Sequence, residues 1–179
     1  MSTTKYKLSS YNPYGMFRNG QEQAISEMIS LWEDGNKVIE LNAPTAAGKT
    51  LDLYVLGRIL EREHGLEKII FTSPQVALIE NGNLFDLPKL VGKRNYPCLG
   101  IAGCTAEECP FTSKEEGFVA CDECSYRKAK NKFRESVFGA TTFARYVADP
   151  SIHSETSVLL IDESSELEGA LLDKATIDL

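Results

Sequence analysis

Apolar positions along the chain recur with two different periods, and the two alternate. Over residues 21–33 (QEQAISEMISLWE), Ala24, Ile25, Met28, Ile29 and Trp32 fall at helical spacing, and Gly35 supplies a stop. A short β-rich run, KVIEL at 37–41, follows and leads into a Gly-containing loop. Residues 49–63 (KTLDLYVLGRILERE) read as a helix buried on one face. A second apolar run, KIIFT at 68–72, precedes a helix near 75–81. This β–loop–α–β–α order predicts an α/β fold, a parallel sheet with helices on its faces.

The pattern breaks from about 84 to 123, where Gly, Pro, Cys and charged residues dominate. A loop of that length inside a compact domain needs something to order it, and a bound metal would do so. Helical periodicity resumes at Ser125 (SYRKAKNKFRES), and VFGATTF at 137–143 and VLLID at 158–162 have the character of buried strands. The chain's 179 residues suit one domain with a small insertion, and no repeat or low-complexity tract interrupts them.

Apolar residues make up 42% and charged residues 25%, the balance of a globular protein. No apolar run reaches membrane-spanning length, and the start MSTTKYKLSS lacks the apolar core of a signal peptide. A cytoplasmic location without a membrane partner is the resulting expectation. The net charge of −7 gives the molecule as a whole no attraction for nucleic acid. A nucleic-acid contact therefore needs a local patch. One candidate is 127–134 (RKAKNKFR), where Arg127, Lys128, Lys130, Lys132 and Arg134 stand with no acid among them. The alternative is a solvated helix surface.

Cys98, Cys104, Cys109, Cys121 and Cys124 are the five cysteines, all within 27 positions. An odd number in an expected cytosolic chain argues against a disulfide framework and points to metal. The spacing is C-x5-C-x4-C-x11-C-x2-C, so Cys121 and Cys124 share a C-x2-C chelate that suits zinc or an iron–sulfur cluster. Structural zinc sites typically use two such pairs. Free thiols are the third alternative. His64 and His153 are isolated and read as ligands of nothing.

Two further motifs carry chemistry. Residues 43–50 read Ala-Pro-Thr-Ala-Ala-Gly-Lys-Thr, close to the phosphate-binding pattern G-x-x-x-x-G-K-[ST]. In such a loop the backbone N–H groups of Thr45, Ala46 and Ala47 and the helix N-terminus converge on phosphates. Gly48 allows close approach, Lys49 neutralises the β- and γ-phosphates, and Thr50 offers a hydroxyl to Mg²⁺. Residues 158–163 (Val-Leu-Leu-Ile-Asp-Glu) fit a buried strand that delivers two carboxylates to its C-terminal edge. Asp162 would hold Mg²⁺, and Glu163 would polarise the attacking water.

These motifs stand in the order found in a known family. The chain resembles the XPD/DinG-type superfamily 2 iron–sulfur DNA helicases over almost its whole length. Phe17-Arg18-Asn19-Gly20-Gln21 resembles the family's N-terminal motif, and 43–50 resembles motif I. Phe71-Thr72-Ser73-Pro74-Gln75 resembles motif Ia. Gly92-Lys93-Arg94-Asn95-Tyr96-Pro97-Cys98 and Cys124-Ser125-Tyr126 resemble the ends of the iron–sulfur insertion, and 137–146 resembles the strand after it. Ile161-Asp162-Glu163-Ser164-Ser165-Glu166-Leu167-Glu168 resembles motif II.

The resemblance implies a RecA-like ATP-binding domain at 1–83 and 136–179, with an iron–sulfur insertion at 84–135. It implies that Arg18 and Gln21 serve the nucleotide, Gln21 at the adenine edge, and that Thr72 and Ser73 contact the DNA backbone. It favours [4Fe–4S] over zinc, with Cys98, Cys109, Cys121 and Cys124 as ligands and Cys104 as the spare or substitute. The implied partners are single-stranded DNA and a second motor domain. Four departures stand out: Ala46 where helicases usually have Gly, Ser165 where the family has His, a compact iron–sulfur spacing with five cysteines for four places, and a chain that stops shortly after motif II. The expectation is the first motor domain of an incomplete helicase. The competing expectation is a regulatory module that binds nucleotide and DNA without turnover, with zinc in place of the cluster.

Overall fold

The computed structural model describes residues 5–44, 47–80, 86–109 and 124–166. Four strands, β1 (Ile69–Ser73), β2 (Lys89–Leu90), β3 (Phe138–Thr142) and β4 (Val158–Ile161), form one sheet in the order β2-β3-β1-β4. Every pairing is parallel, with Ile69 opposite both Phe138 and Val158, and Lys89 opposite Ala140. The helices are α1 (Gln21–Glu33), α2 (Lys49–Glu63), α3 (Val76–Glu80), α4 (Ser125–Glu135), α5 (Phe143–Ala148) and α6 (Pro150–Glu155). The α/β class and parallel sheet expected from the pattern are therefore present, an arrangement compatible with a RecA-like fold.

Successive side chains of a strand point to opposite faces, so a strand covered on both faces is buried at every position. All five residues of β1 and of β3 are buried, which makes these the central strands. Ile69, Phe71, Phe138 and Ala140 join the core beneath α1 and α2. Ile70 faces the other way, into a second core with Phe133 of α4 and Ile152 of α6. Two glycines set how closely the layers approach. A Cβ at Gly57 of α2 would lie 2.3 Å from the Phe138 ring, and one at Gly139 of β3 would lie 2.8 Å from Phe133. Short helices start where the sequence offers caps: Thr142 accepts the Arg145 N–H for α5, and Asp149 accepts the Ser151 N–H ahead of α6, where Pro150 takes the first position.

Two elements depart from the sequence reading. Residues 37–41, expected as a strand, have no ladder partner among the described residues. Val38 is 87% exposed, while Ile39 and Leu41 lean on the main core. The alternation is strand-like, but a strand also needs a neighbour to complete its hydrogen bonds. Conversely, Lys89 and Leu90, inside the expected insertion, pair with β3 and extend the sheet. Among the described residues no helix is long and apolar enough to cross a membrane.

Candidate functional site

The site lies at the carboxyl ends of the strands, where parallel α/β sheets place their ligands. The phosphate-loop match leads directly into α2, whose N-cap is Gly48 at φ +95°, a conformation only glycine adopts without strain. Lys49 donates from Nζ to the carbonyl of Ala43 at 3.2 Å, folding back over its own loop. Ala47 donates its N–H to Pro44 O at 3.1 Å. Thr45 and Ala46 lie outside the described residues, and with them the question of what Ala46 does to the loop.

The acidic strand end meets this loop. Asp162 follows β4, donates its N–H to Thr72 O at 2.9 Å and is almost fully buried. Its Oδ2 accepts the Thr50 hydroxyl at 2.7 Å, and its Oδ1 accepts the Glu163 N–H at 3.1 Å. Thr50 and Asp162, picked from separate motifs as Mg²⁺ ligands, are thus in direct contact. The pair is an oxygen donor set of the kind a hard divalent cation takes. Glu163 holds φ +56°, the one non-glycine residue with positive φ among those described. Such strain concentrates at functional sites.

Arg18 and Gln21 also come to this loop, but Gln21 is only 4% exposed and its amide is engaged. Its Oε1 accepts the Arg18 N–H at 2.7 Å, and its Nε2 donates to Gly48 O at 3.3 Å and to Asp52 Oδ1 at 2.8 Å. Sequence reading missed Asp52. An acid in the first turn of a helix reads as an ordinary surface residue favoured by the helix dipole, and only the packing of α1 on α2 buries it. Burial pushes the Asp52 carboxyl up to about 7, with the Gln21 hydrogen bond pulling down.

Thr72 and Ser73, expected to contact the DNA backbone, stand at the carboxyl end of β1. Both side chains are fully buried in β1; Thr72 donates its hydroxyl to Leu160 O at 3.3 Å, and Ser73 Oγ accepts the Gln75 N–H at 3.3 Å. β1 is a central strand, so packing covers these hydroxyls. The basic strip is placed differently. Arg127, Lys128, Lys132 and Arg134 are exposed on α4 and Lys130 is half-buried, while Tyr126 and Phe133 anchor the opposite side. Arg134 has a partner, Glu155, at 3.6 Å. The C-terminal end of α4 is fixed by Lys68, which donates to the carbonyls of Phe133 at 2.6 Å, Arg134 at 3.2 Å and Ser136.

The cysteine region is partly described. Pro97 and Thr105 form an antiparallel bridge, and Cys98 donates its N–H to Cys104 O at 2.9 Å. Desolvation pushes the Cys98 thiol up, but the Gly100 N–H, the Cys109 thiol and the Ile101 N–H outweigh it and hold it below the ordinary thiol value. Cys109 and Cys124 are buried. Ser125 donates its hydroxyl to Pro97 O at 2.8 Å, which brings the start of α4 beside the Cys98 loop. Cys121 lies outside the described residues. Among those described, no three His, Cys, Asp or Glu side chains gather to hold a metal ion; what is assembled is the Cys98–Cys109 pair.

Comparison with family models, with curated proteins and with solved structures finds no match, so the reading of this site rests on its own geometry.

Proposed function

We propose that this chain is the first motor domain of an ATP-dependent DNA helicase of the XPD/DinG type, which binds and hydrolyses ATP and couples this to movement along single-stranded DNA. The observation that carries the proposal is the 2.7 Å hydrogen bond from Thr50 to Asp162, which joins the phosphate-loop helix to the acidic strand end. Two motifs far apart in sequence meet where a nucleotide–metal site requires them. Lys49 supplies the counter-charge for the β- and γ-phosphates. Thr50 and Asp162 would hold Mg²⁺, which neutralises charge developing on the phosphates when bound. Glu163 orients the attacking water. The all-thiol set at 98–124 suits a [4Fe–4S] cluster, with zinc as the alternative, and the exposed cations of α4 form the path for single-stranded DNA.

Calorimetric titration with Mg²⁺–ATP tests the site. The wild-type chain should bind, and Lys49→Ala should remove most of that binding. Turnover by the chain alone should be slow, since an arginine finger supplied by a second motor domain contributes on the order of 10³–10⁵ in rate. Equal affinity in wild type and Lys49→Ala would overturn the assignment.

A further inference from the structure

A carboxylate as buried as Asp52, 3% exposed, requires a donor. It has one in Gln21, whose Nε2 lies 2.8 Å from Asp52 Oδ1. The second hydrogen of that nitrogen goes to Gly48 O at 3.3 Å, and the amide oxygen takes the Arg18 N–H at 2.7 Å. A primary amide has two hydrogens, so both point into the protein. The carboxylate can only accept and the Arg18 N–H can only donate. Together they fix which end of the amide faces which partner. The amide also presses on the loop itself, since a Cβ at Gly48 would lie 2.6 Å from Gln21 Nε2. Gly48 O in turn accepts the N–H groups of Leu51 at 2.9 Å and Asp52 at 3.2 Å, which open α2. Residues 18, 21, 48 and 52 thus close a ring of hydrogen bonds around the pivot of the phosphate loop.

We propose that Asp52 is a positioning residue of the nucleotide site: it fixes the Gln21 amide against Gly48, which holds the turn that opens α2 beneath the phosphates and leaves Gln21 no donor for a base. This rests on the nucleotide-binding reading and deepens it. The site selects a triphosphate, and Gln21 donates no hydrogen bond to the base.

The test uses the whole chain with Asp52→Ala, Asp52→Asn and Gln21→Ala. Each is titrated by calorimetry with Mg²⁺–ATP, Mg²⁺–GTP and Mg²⁺–tripolyphosphate, and amide hydrogen exchange is followed over residues 47–51. At pH 8, where Asp52 is ionised, Asp52→Ala and Gln21→Ala should weaken all three ligands by the same factor, about tenfold, the order expected for one charge-assisted hydrogen bond. Asp52→Asn, whose amide oxygen accepts the same N–H, should return affinity to within about threefold of wild type. Exchange at 47–51 should quicken in Asp52→Ala and stay near wild type in Asp52→Asn. A loss confined to ATP would make Gln21 a base reader and overturn the proposal, as would unchanged affinities with unchanged exchange. If wild type and Lys49→Ala alike bind none of the three ligands, the nucleotide-binding reading fails. The exchange arm then decides alone: quickened exchange in Asp52→Ala sustains the hold on the loop, and unchanged exchange ends it.

Discussion

Asp52 gives folding stability a particular dependence on pH. Its carboxyl titrates near the ordinary 3.8 when unfolded, and burial raises it to about 7 in the folded chain. Between those values the folded state holds a proton that the unfolded state has released, so this group's contribution to stability falls as pH rises from about 4 to about 7, then levels. Asp52→Asn removes the titration. Urea melts at several pH values should show Asp52→Asn gaining on wild type across that interval, by at most about 4 kcal/mol. A constant difference from pH 4 to 8 would contradict the burial argument. The same residues show what a sequence discloses at this scale. The meeting of Thr50 with Asp162 was legible because two motifs, each fixed in residue type and order, named them as ligands of one ion. The burial of Asp52, Thr72 and Ser73 was not, because hydroxyls and an acid near element ends read as exposed until tertiary packing covers them.

At the scale of elements, periodicity located α1, α2, α4, β1, β3 and β4, since each buries enough apolar surface to impose its period. It placed a strand at 37–41, where Val38 faces outward without a ladder, and it passed over β2, whose two residues are too short to show any period. α4 carries its own prediction. Tyr126 and Phe133 anchor it, and Lys68 caps its carbonyl end, so charge reversal on its outer face should leave the fold intact. Replacing the exposed Arg127, Lys128 and Lys132 with Glu should weaken single-stranded DNA of every sequence alike, because phosphate contacts carry no base information. The salt slope should drop by roughly 0.7 for each phosphate no longer neutralised. Binding by the triple variant equal to wild type at low and high salt would leave the strip as a solvated helix face.

Across the whole molecule, the sheet has helices on both faces, and the described part of the cysteine loop joins it through Ser125, β2 and the packing of Ala106 and Cys124 in the second core. If thiol ligation orders that loop, protein purified without oxygen should be brown, absorb broadly near 400 nm and carry about four irons. Cys98→Ser should lose the colour, since the structure pairs Cys98 with Cys109. Cys104→Ser should keep it, since Cys104 meets Cys98 through its backbone carbonyl. A colourless protein with stoichiometric zinc would select the alternative. The clustering of the cysteines was plain in the sequence. Which thiols approach one another was not, because it depends on the turn that brings Thr105 back to Pro97.

The Thr50–Asp162 contact spans 112 residues, so it also orders events in time. A ribosome adds about 5–20 residues each second, so the phosphate loop is made roughly 5–20 s before its acidic partner. During that interval Thr50 and α2 exist without the strand end that Thr50 bonds. β1 likewise waits for both of its neighbours, β3 and β4, which are synthesised after it. Pairings this distant in sequence slow folding, because loop entropy is lost before any contact offsets it. Thr50 therefore cannot meet Asp162 until β4 has been made and has docked beside β1.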